Sequence, residues 1–81
     1  MRVKKGRYYK VKTPANSLVI AKCVSETAYS QFNSNENVYE FKVIHIIHKA
    51  VDTPFRGSYA WRESRIMYEI EEENLVLEML E

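Results

Sequence analysis

The sequence is poor in cysteine, glycine and proline, and each scarcity removes a class of chemistry. Cys23 is the single cysteine among 81 residues, so no intramolecular disulfide and no four-thiolate zinc site can form. Lying among the apolar residues of Leu18–Val24, it reads as a small buried hydrophobe rather than a reactive thiol. Gly6 and Gly57 are the two glycines. Both the P-loop and the dinucleotide fingerprint need more, because several backbone amides must approach an anion closely. No G-x-S-x-G elbow occurs, which removes the usual setting of a nucleophilic serine. No apolar run reaches the roughly eighteen residues of a membrane span. No signal-peptide core follows the basic cluster after Met1. These absences predict a cytoplasmic protein without membrane association.

Charge of one sign is also missing. Twelve basic and eleven acidic residues leave a net charge of +1, less than binders of duplex nucleic acid usually carry. The distribution is uneven, however. Arg2, Lys4, Lys5, Arg7, Lys10 and Lys12 crowd the first twelve positions, and Glu69, Glu71, Glu72, Glu73, Glu78 and Glu81 the last thirteen. Such polarity marks either a basic binding end or a first and last strand lying side by side with charges paired. The second reading is preferred, because small barrels bring their ends together.

What the chain has in quantity is strand-forming side chains. Val, Ile, Tyr, Phe, Trp and Thr total 27, against nine Leu and Ala. Branched and aromatic residues pack well on a pleated surface and lose rotamer freedom in a helix. A domain of this size buries only about 60–65% of its unfolded surface, so a deep cofactor cleft is not expected. The protein is expected to act through its surface.

Gly6–Lys12 (GRYYKVK) reads as a first strand with Tyr9 and Val11 on one side and Tyr8, Lys10 and Lys12 on the other. Thr13-Pro14-Ala15-Asn16 supplies a turn, Pro14 fixing φ and Asn16 tolerating unusual angles. Ser17–Ser25 forms the second strand of a hairpin. Glu26–Asn37 has loop composition, in which Tyr29 and Phe32 either pack down or serve a partner. Val38–His48 is the longest strand, with one face turning from charged to apolar partway along, as a bending strand would show. Lys49–Gly57 is a second loop. Ser58–Ile70 holds two short strands or one bent strand, Tyr59–Arg62 and Arg65–Ile70. Leu75–Leu80 closes the chain as a helical turn or a strand. Five or six short strands predict a mostly β fold in one domain, a small antiparallel SH3-like or OB-like barrel with a short C-terminal helical turn as an option.

Candidate chemistry is thin. His45 and His48, three apart on a strand, are expected to face opposite ways, which speaks against a metal site; His45 is expected in the core. Glu71-Glu72-Glu73 reads as a solvated run. No catalytic set, cofactor or metal is expected. The ten aromatic rings are more than such a domain buries, and aromatics beside arginines either anchor protein interfaces or stack on bases. Arg56, Tyr59, Trp61, Arg62 and Arg65 form the first such cluster. Arg7, Tyr8, Lys10 and Lys12 form the second. Against the first stands the reading that these rings alternate inward as core, which is preferred for Trp61 and evenly balanced for Tyr59.

In texture, through stretches such as KKGRYYKVK and NSNENVYEFKV, the chain resembles the small Lys-, Glu-, Asn- and Tyr-rich accessory proteins of bacteriophages and mobile elements. That resemblance implies a protein that acts in the host cytoplasm by binding and blocking a host component. The leading expectation is a non-enzymatic binding module for a host protein. The alternatives are a barrel that binds single-stranded DNA or RNA, and a sponge for a small nucleotide signal built at a subunit interface. A homodimer through exposed strand edges is a further expectation.

Overall fold

The computed structural model describes residues 3–29, 37–52 and 54–80. Strands β1 (Tyr8–Lys12), β2 (Leu18–Tyr29), β3 (Val38–His48), β4 (Ser58–Arg62) and β5 (Ile66–Ile70) precede a short helix, α1 (Leu75–Met79). All neighbours are antiparallel in a single sheet of order β4-β3-β2-β1-β5. The first and last strands do lie side by side, and Arg7 meets Glu69 at 3.8 Å.

The β1–β2 turn forms as its residues require. The Asn16 amide donates to the Thr13 carbonyl at 2.8 Å, and Asn16 takes φ 68°, the left-handed region that asparagine tolerates. Thr13 Oγ1 accepts from the Ser17 amide at 3.0 Å, and both side chains are buried. One expectation changes and one alternative is decided. β2 runs on to Tyr29, into the polar stretch read as loop; Phe32 and the Tyr29 side chain lie outside the described residues. Of the two closings expected for the chain, the helical turn is the one formed, with Leu75 and Met79 half-buried but Leu80 exposed.

The sheet must curl. β4 ends at Arg62 and β5 starts at Ile66, joined by a 3₁₀ turn over Glu63–Arg65. Four residue steps reach at most about 14 Å, whereas a flat five-stranded sheet holds its edges about 19 Å apart. Curvature comes from bulges in the long β2–β3 pair and one between β1 and β5, each of which adds twist. Among the described residues no ladder joins β4 to β5, so the sheet is not closed into the expected barrel.

The concave face holds the core: Tyr9 and Val11, Val19, Ala21 and Cys23, Tyr39 and Phe41, Trp61 and Ile66, with Val3 folded in. Burying a valine, isoleucine or phenylalanine among them contributes about 1.5–3 kcal/mol by removing it from water. Cys23 is fully buried and its thiol donates to the Ser25 carbonyl, as a small core residue. On the convex face, Glu78 of α1 reaches Lys10 and Tyr68, which sets the helix over β1 and β5. Ile20, opposite Lys10, and Ile70, opposite Tyr8, are buried there.

The bulges also overturn the reading of the histidines. His45 pairs with Ile20 and His48 with Leu18. These partners stand two apart on β2 and so share one face. The extra residue in β3 therefore brings both histidines to the same side, where alternation alone predicted opposite sides. His45 is half-buried rather than core. Among the described residues no group of three metal-ligating side chains forms.

Candidate partner-binding surfaces

β4 is an edge strand, paired through Tyr59↔Phe41 and Trp61↔Tyr39. Because Phe41 and Tyr39 face the core, Tyr59 and Trp61 face inward too. Their rings stack at 5.4 Å with 9° between planes. The series continues inward from Trp61 to Phe41 at 5.7 Å and from Phe41 to Tyr9 at 6.0 Å, edge-on. Outward it ends on Phe55, edge-on to Tyr59 at 5.7 Å. Five rings thus connect the middle of the core with the β3–β4 loop.

The outer end of this series is a hollow of about 240 Å³ lined by Thr13, Pro14, Ala15, Ser17, Val51, Pro54, Phe55, Tyr59 and Trp61. Two features set its shape. Gly57, at φ 67°, turns the loop into β4 in a conformation that other residues rarely adopt. The Arg56 amide donates to the Tyr59 hydroxyl at 2.8 Å, which fixes that ring. A second hollow, about 380 Å³, adjoins the first through Pro14 and Trp61 and is lined further by Ala60, Arg62 and Arg65. An apolar hollow and a guanidinium-lined one thus share Pro14 and Trp61 as walls.

The first predicted cluster is thus brought together, with corrections. Trp61 is 5% exposed, a core residue that shows one edge to both hollows. Tyr59 is half-buried, Arg62 and Arg56 are exposed, and Arg65 is half-buried. Arg56 acts here through its backbone amide. Pro14, Val51 and Phe55 were not singled out from sequence; the proline-aromatic composition of the two loops was their one local signal.

The second predicted cluster is broken up. Lys10 is 8% exposed; its Nζ stands 4.0 Å from Glu78 and 5.4 Å from the Tyr68 ring centroid. Alternation placed it on the solvent face, but α1 covers that part of the face, so Lys10 is no docking cation. Arg7 is engaged with Glu69, and Lys12 is exposed. Tyr8 instead joins lysines from other strands. It pairs with Lys22, which pairs with Lys42, and Lys22 Nζ lies 5.9 Å from the Tyr8 ring centroid. A groove of about 550 Å³ runs here between Lys5, Tyr8, Lys22, Lys42, Ile44 and Leu75. It shares no lining residue with the aromatic hollows.

Among titratable groups, the Tyr9 phenol is held above its ordinary value, chiefly by burial, with the Glu69 carboxylate adding to the effect and the Lys4 amide opposing it. The Lys4 amide donates to the Tyr9 oxygen at 2.9 Å, and the hydroxyl donates to Glu69 at 3.4 Å. This arrangement anchors the N-terminal segment.

No protein-family model matches the chain, and no curated protein or solved structure matches it. No helix among the described residues is long and apolar enough to cross a membrane.

Proposed function

We propose that this chain is a non-enzymatic protein-binding module that holds an extended segment of its partner along the β4 edge. The observation that carries the reading is that two hollows share Pro14 and Trp61 as walls, one apolar and ending on Phe55 and Tyr59, the other lined by Arg62 and Arg65. An extended chain presents side chains at a regular spacing. An apolar or prolyl side chain fits the first hollow and a carboxylate the second. Ser58–Arg62 pairs with β3 on one side, and its other side offers backbone groups for strand addition. Aromatic and arginine side chains of this kind dominate the energy of protein interfaces.

A four-strand meander whose fifth strand returns beside the first after a 3₁₀ turn supports the SH3-like alternative over the OB-like one. On the resemblance to phage and mobile-element accessory proteins, the partner we propose is a host-cell protein, and occupying its docking segment would block its normal contacts. The test is a random-peptide display selection on the wild-type chain, counter-selected on a Phe55→Ala/Tyr59→Ala variant whose folding is checked by circular dichroism. Enrichment of peptides pairing an apolar or prolyl residue with a nearby Asp or Glu is expected. Peptides that bind the variant equally well would remove this surface from the account.

A further inference from the structure

Lys22 and Lys42 stand directly opposite each other on β2 and β3, and like charges so placed destabilise a sheet. No ion pair among the described residues takes up either of them. Both are exposed. Both line the 550 Å³ groove, so two facing ammonium groups stand at one concavity on a chain of net charge +1. Its other walls include the Tyr8 ring and the aliphatic side chains of Ile44 and Leu75. Packing needs would place a lysine opposite a glutamate here. A ligand that supplies negative charge explains the arrangement.

We propose that this groove binds the phosphate groups of a single-stranded nucleic acid, a function separate from the aromatic hollows. Lysine ammonium groups neutralise phosphates as mobile point charges without demanding the bidentate geometry of arginine. A tyrosine with aliphatic neighbours gives a base a surface to rest on, the combination that single-strand binders use. A duplex asks for a larger excess of positive charge than this chain carries. The binding lysines come from β2 and β3, while the basic residues Arg7 and Lys10 of the N-terminal part are occupied by Glu69 and Glu78.

The test is fluorescence anisotropy of labelled oligothymidylate titrated with the full chain at several salt concentrations. Wild type and a Lys22→Ala/Lys42→Ala variant are compared. Binding at low salt is expected, and removing two phosphate contacts flattens the log–log salt dependence by about 1.4. The variant's melting temperature stays equal or rises, because a repulsive pair has gone; a purely structural role for the lysines would lower it. Thymidine monophosphate as competitor separates a free nucleotide from a strand. Weak competition identifies the strand, and competition at equal strand and monophosphate concentrations moves the site to a free nucleotide and overturns the proposal. It is overturned equally by absence of binding at low salt, by an unchanged salt slope in the variant, or by equal displacement with poly-glutamate.

Discussion

Tyr59 and Trp61, two residues apart on β4, hold their rings 5.4 Å apart and within 9° of parallel, one serving the core and the other the rim of a groove. The pair joins the core to the rim of a hollow on a single edge strand. Trp61 continues into Phe41, and Tyr59 is fixed from the loop by the Arg56 amide.

The two rings should therefore separate under mutation. Trp61→Ala removes a buried ring and should cost about 3–5 kcal/mol, a large share of the roughly 5–15 kcal/mol that holds such a domain. Tyr59→Phe loses only the hydroxyl that accepts the Arg56 amide and should cost about 1 kcal/mol. Urea denaturation monitored by far-ultraviolet circular dichroism measures both. Near-equal losses would show that Trp61 is not the core member of the pair.

Tyr9 gives a pH signature. Its phenol is harder to ionise in the folded chain than in the unfolded one, chiefly through burial. The stability tied to its proton is then fully present below the ordinary tyrosine value of about 10. As pH rises through that value the unfolded chain releases a proton that the folded chain retains, and the folded state loses ground until its own, higher value is passed. Tyr9→Phe should cost about 1 kcal/mol at neutral pH and should flatten the alkaline fall in melting temperature. Thermal melts from neutral to strongly alkaline pH check this, and parallel curves for the two proteins would refute it.

Lys10 predicts a dependence on α1. Its side chain is one-tenth exposed and faces Glu78, which also accepts from the Tyr68 hydroxyl at 3.0 Å. Glu78→Ala leaves a covered ammonium without its carboxylate and should cost about 1–3 kcal/mol. Lys10→Met in the same background should recover much of that loss, since the pair is replaced by apolar contact. A double-mutant cycle measures the coupling. Additive losses would mean that the helix is not held through this pair.

Much of the fold was legible because local chemistry and tertiary structure agree. Val38–His48 alternates over eleven residues, and β3 has those bounds. Thr13–Asn16 carries its own turn geometry, and the opposed charges at the two ends anticipated the β1–β5 pairing. What stayed hidden depends on register. Alternation cannot reveal a bulge, so the two histidines were assigned to opposite sides. Nor can it reveal what lies above a strand, so Lys10 was read as solvated although α1 covers it. The Tyr8–Lys22–Lys42 row needs two strand registers at once. Its one trace in sequence is Lys22, a lone charge inside SLVIAKCVS. The Tyr59–Trp61 cluster was found because its residues adjoin in sequence, and Phe55 and Pro14 were missed because loops bring them in.

Trp61 is the chain's one tryptophan, and it lines both hollows, so its indole N–H signal reports the proposed groove in a single resonance. The most direct test of the central claim follows that signal and the backbone amides by ¹H–¹⁵N correlation spectra while a display-selected peptide is added. The account predicts saturable shifts at the Trp61 indole, in β4 and around Pro14 and Phe55, with Lys22 and Lys42 unmoved. Absence of any selectable peptide, or shifts confined to other parts of the sheet with the indole unchanged, would contradict it.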